Sequence, residues 1–457
     1  MKQNKTANRG SFSGKIGFIL ATAGSAVGLG NIWRFPYLAA RHGGGIFLLV
    51  YLILALTFGY TLMISETGLG RMTGKSPVGA FRAFGKSRLA GFGGWLNAVI
   101  PMLILPYYGV IGGWVCKYLY EYIVHGAGDV AADGFFGGFM TSPAASEIWF
   151  LVFAGATLLV IVGGVQKGVE RVSTVMMPGL VILSVIVAVY SITRPGALEG
   201  VRYLLIPDLA HFSWMTVAAA LGQMFYSLSI AMGILITYGS YMKKDVDAEK
   251  SMHSVIFFDS GIALLAGLMI IPAVFAFSGG DPETLKAGPS LMFITMPKVF
   301  RSMGLGGAMG IVFFLMVLLA ALTSSISLAE TSVSTFEDEL GWSRKKSTLL
   351  VAGITLVLGS LSSLGYSVLS SVEIFGMQIL DFFDFLTNSL MMPVAALAIC
   401  VYVVRSVTVD RVCREIRLSS KFRGERMYRV FVRIVAPIFI VVIFLSSIAS
   451  VLGLIQL

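Results

Sequence analysis

Long apolar segments alternate with short polar links along nearly the whole chain. Each segment has about the 20 residues that an α-helix needs to cross a bilayer. Eleven such segments can be delimited, so we predict an all-α integral membrane protein with eleven transmembrane helices. They lie at about residues 15–38, 44–70, 91–123, 147–165, 171–193, 214–241, 252–278, 305–335, 347–364, 372–403 and 430–455.

Composition and charge support a lipid environment. Hydrophobic residues make up 56% of the chain and charged residues 13%, whereas soluble proteins carry about 25% charged residues. Of the 34 lysines and arginines, 26 fall in the N-terminal stretch or in every second link and the segment ends beside it, and six fall in the links between. The positive-inside rule therefore predicts a cell-membrane protein with a cytoplasmic N-terminus and, after eleven spans, an extracellular C-terminus. The net charge of +10 follows from this topology, and no nucleic-acid partner is expected.

The polar residues do not favour an enzyme. Cys116, Cys400 and Cys413 lack the CxxC spacing and the histidine neighbours of a metal site. The four histidines are scattered, and no nucleophile is spaced with a base, so we predict no catalytic residues. A cation channel would need a filter repeated around a pore, and a receptor would normally add a soluble domain. Neither feature is present in this pattern.

The first apolar segment is poorly suited to a continuous helix. Gly24, Gly28 and Gly30 each weaken a helix interior by roughly 1 kcal/mol relative to alanine. Arg34 adds a charge at membrane depth and Pro36 removes a backbone donor. Small residues four apart are also typical of close helix packing, but the combination favours a broken helix. Opened carbonyl groups can bind a cation, and opened N–H groups can bind an anion.

A second interruption follows five segments later. Ser227, Ser229, Ala231 and Gly233 lie at mid-depth of the sixth segment, although serine alone is tolerated in membrane helices. Broken segments at corresponding places in two halves indicate a transporter with inverted repeats, and an odd number of spans per repeat inverts the second copy. We therefore predict one transporter domain over residues 1–457 in which helices 1 and 6 are discontinuous. Its parts are a first repeat at about 10–195, a second at about 214–405 and an additional helix at about 430–455.

Oxygen-bearing side chains cluster in the eighth segment, where Thr323, Ser324 and Ser325 follow each other. Hydroxyl and carbonyl oxygens are hard ligands that suit alkali or alkaline-earth cations rather than zinc or copper. Three hydroxyls on a helix of small residues can equally serve packing alone. Both interpretations stay open on this run by itself.

Four acidic residues lie at or near membrane depth, where ionisable groups are functional candidates by default: Glu66, Asp259, Asp381 and Asp384. No basic residue is near Asp259 in the sequence, so a bound cation is a natural partner for its carboxylate. Asp384 is a candidate partner for Arg34. Glu66 is expected to have a structural role, accepting hydrogen bonds from opened backbone.

Together these features resemble the neurotransmitter:sodium symporter family, which has the LeuT-like fold. The resemblance covers nearly the whole chain and is most specific over 23–36, in Gly43-Gly44-Gly45 and in Thr323-Ser324-Ser325. It implies sodium-coupled import of a small solute by alternating access. Eleven spans are similar to a bacterial subgroup of amino-acid transporters. Monoamine transporters of the family have an aspartate where this chain has Gly24, so the resemblance implies a neutral hydrophobic or aromatic L-amino acid.

The resemblance also implies particular ligands. A first sodium site would comprise Ala26, Asn31, Ser227 and Asp259, and a second Gly24, Val27, Ala320, Thr323 and Ser324. The substrate would meet Gly24, Ser25, Leu29, Gly30, Ile104, Tyr108, Tyr226, Ser229, Met232, Ser324 and Leu328. An outer gate would comprise Arg34, Gln223, Tyr226 and Asp384, and an inner gate Arg9, Phe12, Tyr241 and Asp338, with Glu66 as a structural acid.

Two departures from the family pattern bear on selectivity. Asp259 stands where chloride-dependent members have an asparagine, and its fixed negative charge implies that chloride is not required. Ala231 replaces a glycine that is usual in many members, which is expected to reduce the room for substrate. The implied partners are an amino acid, sodium ions and the lipid bilayer, with the oligomeric state open. The alternatives are transport of an amine or osmolyte, or a sensing role on the same fold.

Overall fold

The computed structural model describes residues 10–85, 88–279 and 288–451. Regular structure within these ranges is helical, apart from two isolated β-bridges. The all-α membrane fold predicted from the apolar segments is therefore confirmed. Arg9, which was assigned to the inner gate, lies outside the described residues.

The main helices are numbered here in chain order. They are α1 (Lys15–Ala26), α2 (Gly30–Arg41), α3 (Gly45–Thr73), α4 (Arg88–Val124), α5 (Pro143–Val162), α6 (Val165–Ile192), α7 (Trp214–Ser227), α8 (Ile234–Ser240), α9 (Ala248–Ser278), α10 (Gly306–Leu340), α11 (Arg344–Leu364), α12 (Ile379–Val407) and α13 (Glu425–Ser446). Shorter helices lie in the links at Pro77–Ala83, Phe135–Met140, Ala197–Leu205, Met296–Ser302 and Val409–Arg417.

Nine helices in the described part of the chain are long and apolar enough to cross a membrane, and α1 with α2 makes a tenth span if the bent pair counts as one. The predicted span at 214–241 is divided into α7 and α8, and neither half has the length of a membrane crossing. The number of eleven spans therefore stays a prediction.

Several predicted spans begin at other residues in the structure, among them the fifth, which begins at Val165 rather than at 171, and two others have a local explanation. The tenth begins at Ile379 rather than at 372, because turns precede it in which Phe375 and Gly376 have φ angles of 54° and 75°. The last begins at Glu425 rather than at 430, because its polar first turn is helical and is closed by a Glu425–Arg429 ion pair of 2.8 Å. Apolar length alone did not indicate either start.

Both predicted discontinuities are present, and they face each other in the buried centre. α1 and α2 meet at a bend of 54°. Between α7 and α8, Ser229, Ala231 and Gly233 have φ angles of 53°, 60° and 70°, which end the helix. The Ser229 hydroxyl donates to the carbonyl oxygen of Ser25 at 2.9 Å, so one break is bonded directly to the other.

Packing surrounds this centre with two groups of helices. α4 packs against α5, α10 and α11, and α9 packs against α1, α6 and α3. α1 also contacts α6 and α10, so it lies between the two groups. Large apolar side chains point outwards on the peripheral helices, as in Leu159, Val175 and Leu349, which are 78%, 72% and 75% exposed. Helices that are apolar on their outer face as well are typical of membrane spans.

The close approach of α3 and α8 depends on glycine. A Cβ at Gly70 would lie 1.9 Å from the carbonyl oxygen of Ile236 and 2.8 Å from the amide nitrogen of Ser240. A Cβ at Gly239 would lie 2.5 Å from the carbonyl oxygen of Thr67. These are backbone atoms of packed helices, so a side chain at either glycine would force the helices apart.

Gly70→Ala is expected to destabilise the protein by about 1–3 kcal/mol or more, the usual cost of overpacking, because the obstructing atoms are backbone. Thermal unfolding of the detergent-solubilised protein measures this loss. Gly261→Ala on α9 is the matched control, since no atom lies within 4 Å of the added Cβ. The control should be neutral or slightly stabilising, and equal losses in both variants would contradict the packing argument.

Candidate functional site

A cavity lies where the two breaks meet, with about 360 Å³ of free space that includes the part open to solvent. The walls come from α1, the α1–α2 junction, α4, α7, α8 with the break before it, and α10. The lining residues are Ser25, Ala26, Gly28, Leu29, Gly30, Asn31, Ile104, Tyr108, Tyr226, Ser227, Ser229, Met232, Ile234, Ser324, Ser327 and Leu328.

Ten of the eleven residues assigned to the substrate line this cavity, and Gly24 does not. A Cβ at Gly24 would lie 3.1 Å from Cβ of Thr323 and 3.5 Å from Cγ of Met177, so this glycine faces α10 and α6. Gly24 thus packs between helices in the structure, and its contact with the substrate stays a prediction. Ala231 is likewise absent from the lining, and the expectation that it reduces the room for substrate stays a prediction.

The sequence did not indicate Gly28, Ile234 and Ser327 as lining residues. A Cβ at Gly28 would lie 2.7 Å from Oγ of Ser324 and 3.1 Å from the hydroxyl of Tyr108, so the cavity reaches the backbone there. Ser327 lies one helical turn beyond Ser324 on the same face of α10, and that spacing was the signal available for it.

One end of the cavity is polar because the helix is broken there. The amide nitrogen of Leu29 donates to the Tyr108 hydroxyl at 3.3 Å, across 79 positions of sequence. The neighbouring Gly30 has no room for a side chain, since a Cβ would lie 2.4 Å from the ring of Tyr226. Backbone N–H groups and a hydroxyl at the start of a helical segment are suited to an anionic group.

A buried polar cluster joins three helices next to this end. Nδ2 of Asn31 donates to Oγ of Ser227 at 2.9 Å and to Oδ1 of Asp259 at 2.8 Å. The Ser227 hydroxyl donates to the same carboxylate oxygen at 2.6 Å. All three residues are at most 1% exposed. The structure thus brings together the three side chains assigned to the first sodium site, and Ala26 lines the adjoining cavity.

Tyr51 completes the cluster, and sequence reasoning missed it. Its hydroxyl donates to Oδ2 of Asp259 at 2.6 Å, from α3 to α9. Tyr51 lies in a strongly apolar segment. Its hydroxyl was the only feature of the sequence that could have indicated a polar contact there. Every donor to Asp259 named here is a neutral group, and no basic side chain in the described ranges forms an ion pair with it within 4.0 Å.

A second group of oxygens lies between α1 and α10. The Ser324 hydroxyl is 3.4 Å from the carbonyl oxygen of Gly24 and 3.2 Å from that of Val27. The Thr323 hydroxyl is 3.1 Å from the carbonyl oxygen of Ala320. Because α1 ends at Ala26, carbonyl groups of its last turn lack their usual helical partners. Neutral oxygens from hydroxyl and carbonyl groups fit a monovalent cation.

Glu66 supports the second break. Its Oε1 accepts a hydrogen bond of 2.8 Å from the amide nitrogen of Ala231, whose φ angle of 60° leaves that group outside any helix. Oε2 is buried and has no hydrogen-bond partner among the described residues. The contact to opened backbone is the one expected for this acid.

Towards the end predicted to face outwards, Tyr226 lies between the cavity and Arg34. The Arg34 guanidinium carbon is 5.5 Å from the centre of the Tyr226 ring, within the range of a cation–π interaction. Gln223 does not hold Arg34. Its Nε2 donates instead to the carbonyl oxygen of Gly30 at 3.0 Å.

Arg34 and Asp384 do not pair in the structure. Their described side chains make no ion pair within 4.0 Å, although Arg34 lies near enough to Asp384 to interact with it electrostatically. Asp384 is exposed and accepts a hydrogen bond of 2.6 Å from Nδ2 of Asn388. Arg34 and Asp384, which were expected to form an outer gate, thus lie near each other without forming an ion pair.

Side chains pack against each other at the end of the site that is predicted to face the cytoplasm. Phe12 is buried, packs edge-on against Tyr238 and Tyr241, and donates its amide to the carbonyl oxygen of Tyr241 at 3.1 Å. The Tyr241 hydroxyl donates to Glu330 at 2.7 Å, and Glu330 also pairs with Arg344. The sequence did not indicate Glu330 or Arg344, although an acid late in the hydroxyl-rich eighth segment was a usable signal.

Asp338 was expected to pair with Arg9 at this end. Its Oδ2 accepts a hydrogen bond of 2.6 Å from the amide nitrogen of Ser76, at the start of the short helix Pro77–Ala83. Because Arg9 lies outside the described residues, the pairing of Arg9 with Asp338 stays a prediction.

Comparison with known proteins places these features in context. A model of the sodium:neurotransmitter symporter family matches residues 9–126 and 144–454. The chain is 34% identical over 442 residues to an uncharacterized sodium-dependent transporter of Bacillus subtilis (strain 168), covering 96% of this chain and 97% of that protein. It is 26% identical over 412 residues to the sodium- and chloride-dependent GABA transporter 2 of Homo sapiens, covering 78% and 67%.

The fold is also similar to a solved structure. The crystal structure of MhsT in complex with L-phenylalanine matches with a TM-score of 0.86 and 37% sequence identity. The likeness covers 96% of this chain and 100% of that one. It therefore includes the segments that form the cavity.

Tyr51→Phe is expected to destabilise the protein by about 1–3 kcal/mol, because one oxygen of the buried Asp259 carboxylate would lose its donor. Thermal unfolding in detergent, without added substrate, measures the change. Tyr122→Phe is the matched control, since the Tyr122 hydroxyl is buried and has no partner among the described residues. If both variants unfolded at the wild-type temperature, the hydrogen bond from Tyr51 to Asp259 would contribute nothing to the stability of the protein.

Proposed function

This chain belongs to the sodium:neurotransmitter symporter family and is a sodium-dependent membrane transporter rather than an enzyme, and from that premise we propose that it imports neutral hydrophobic or aromatic L-amino acids with sodium. The family resemblance and the LeuT-like fold expected from the sequence are confirmed by these matches. The observation that carries the substrate class is the division of the cavity lining between polar groups at the Leu29–Gly30 break and the apolar side chains of Ile104, Met232, Ile234 and Leu328.

An amino acid fits this division. Its carboxylate would meet the backbone amides at Leu29 and Gly30 and the Tyr108 hydroxyl, and its side chain would contact Ile104 and Met232, which are 2% and 5% exposed. A flexible methionine adapts to several shapes, and an apolar pocket discriminates one methylene by only about 1–3 kcal/mol. We therefore propose several hydrophobic substrates. That MhsT was solved with L-phenylalanine supports the class.

The first sodium ion would bind at the Asn31–Ser227–Asp259 cluster, with the Ala26 carbonyl and the substrate carboxylate as further ligands. A bound cation would stabilise the ionised form of a buried carboxylate whose donors are all neutral. Because the substrate would complete the ligand shell, substrate and sodium would each raise the affinity of the other by the same factor.

The second sodium ion would bind between α1 and α10, at the carbonyl groups of Gly24, Val27 and Ala320 and the hydroxyls of Thr323 and Ser324. These oxygens are neutral, so a monovalent ion brings the only charge to the site. Inward movement of each ion would yield about 2.3 kcal/mol per 100 mV of membrane potential.

Chloride independence is proposed on the contacts of Asp259. Hydroxyls of Tyr51 and Ser227 donate to this carboxylate at 2.6 Å each, so the fixed anion uses donors that a bound chloride would need. The human GABA transporter to which the chain is similar is named as sodium- and chloride-dependent. We therefore propose that the two proteins differ in this requirement.

Alternating access would start from the arrangement observed. Phe12 and the Tyr241–Glu330–Arg344 contacts close the inner end, while Arg34 and Asp384 remain apart at the outer end. With the N-terminus in the cytoplasm, this arrangement would correspond to an outward-facing carrier. Entry of sodium and substrate would be followed by closure of the outer end and opening of the inner end.

Uptake into liposomes tests the function directly. Purified protein should take up labelled leucine, tryptophan or tyrosine, with saturation, when the inward gradient is sodium and not when it is potassium. The rate should be the same when gluconate replaces chloride. Absence of sodium-driven uptake for all amino acids would contradict the proposed substrate, and testing amines and osmolytes under the same gradient would separate the remaining alternatives.

Ser324→Ala should lower the apparent sodium affinity by about 10-fold or more, the scale seen when a group supporting a bound metal ion is removed. The measurement is the sodium concentration that gives half-maximal uptake. Ser325→Ala is the matched control, because the Ser325 hydroxyl contacts Thr157 at 2.8 Å and does not line the cavity. An equal loss of sodium affinity in both variants would contradict the second site.

A further inference from the structure

We propose that Asn388 is a positioning residue of the outer gate, which holds the Asp384 carboxylate away from Arg34 and so favours the open entrance. A gate has a function here only if the protein is the transporter proposed above. The contacts themselves involve the side chains of Asn388, Asp384 and Arg34, which the structure describes.

The contact that carries the inference lies on one face of α12. Nδ2 of Asn388 donates to Oδ1 of Asp384 at 2.6 Å, four residues earlier in the helix. The same nitrogen is 3.4 Å from the hydroxyl of Tyr107, which is 1% exposed and belongs to α4. The amide therefore connects the gate acid to a fixed point on a different helix.

The orientation of the Asn388 amide follows from this contact. An ionised carboxylate only accepts hydrogen bonds, so the nitrogen and not the oxygen must face Asp384. Oδ1 of Asn388 is buried and has no partner among the described residues. The side chain thus makes its hydrogen bonds through Nδ2 alone, and Asp384 receives the shorter of the two.

Arg34 lies on the other side of the entrance. It rests on the ring of Tyr226, and Nη2 of Arg34 would be 3.7 Å from a Cβ at Gly222 on α7. Arginine binds a carboxylate best through two parallel hydrogen bonds, one to each oxygen. Each carboxylate oxygen can accept two hydrogen bonds, so the Asn388 contact does not use up the acid. It holds the Asp384 carboxylate in a position where no ion pair with Arg34 forms, and pairing requires the acid to leave that position.

Closing the gate is therefore a competition between two positions of one carboxylate. A hydrogen bond of this kind shifts an equilibrium by about 2- to 10-fold on net, enough to set how often the entrance is open. Hydrogen bonds between residues four apart on a helix are common, so a purely local role for Asn388 must be separated by experiment.

The test measures opening without substrate. A single-cysteine protein carries Gly222→Cys beside Arg34, with Cys116, Cys400 and Cys413 replaced by alanine. The rate of its reaction with a membrane-impermeant thiol reagent reports access to the gate. Asn388→Ala should slow this reaction by about 2- to 10-fold, because Asp384 is then free to bind Arg34.

The same measurement in a protein that carries Asp384→Asn tests whether the effect of Asn388 acts through Asp384. This substitution removes the ion pair, so adding Asn388→Ala to it should leave the labelling rate unchanged. Thr387→Val is the matched control, because the Thr387 hydroxyl contacts Tyr107 at 3.3 Å and, of Asp384, reaches only the main-chain carbonyl oxygen, at 3.2 Å, and not the carboxylate. This variant should label at the wild-type rate.

Three results would overturn the proposal: wild-type or faster labelling of Asn388→Ala, the same slowing in the Asp384→Asn background, or equal slowing in Thr387→Val. Equilibrium binding of labelled amino acid to the wild-type protein is measured in parallel. If no sodium-dependent binding is found but the labelling results hold, the proposed substrate fails and the role of Asn388 stands.

Discussion

A membrane offers no water to a broken helix, and the centre of this protein is built around that constraint. Each opened N–H or carbonyl group must find a partner in the protein or in a ligand, because leaving it unsatisfied in lipid costs several kcal/mol. Glu66 accepts the hydrogen bond from Ala231, and Ser229 and Gln223 donate to carbonyl groups of the first break. The groups that satisfy the backbone therefore also bond the two breaks to each other, and the cavity is the space left between them.

The buried Asp259 carboxylate next to the cavity suits this arrangement to binding a cation. Asp259 is fully buried and surrounded by neutral donors, from Tyr51 on one side and Asn31 and Ser227 on the other. These hydrogen bonds hold the carboxylate in place but leave its charge unbalanced by a basic side chain in the described ranges. On the proposed function, sodium balances that charge, so the same interaction would couple ion binding to the shape of the substrate site.

The two ends of the cavity are held by different kinds of interaction. At the inner end, Phe12 packs among tyrosines and Glu330 pairs with Arg344, so apolar burial and charge act together. At the outer end, the charges of Arg34 and Asp384 are close but unpaired, and Asp384 bonds to Asn388. On the proposed function, this difference means that the two ends would open and close through different interactions.

The sequence by itself determined the membrane class, the two breaks and the family, since these depend on segment length and on glycine, proline and charge within a segment, which act locally. Tertiary structure decided what each side chain faces. Gly24 packs against α10 rather than lining the cavity, and Tyr51 reaches Asp259 from 208 positions away. It also decided that Arg34 and Asp384 stay apart. The rotation of a helix about its axis and the distance between two helices are set by packing between segments remote in sequence, and an apolar run carries no local signal for either.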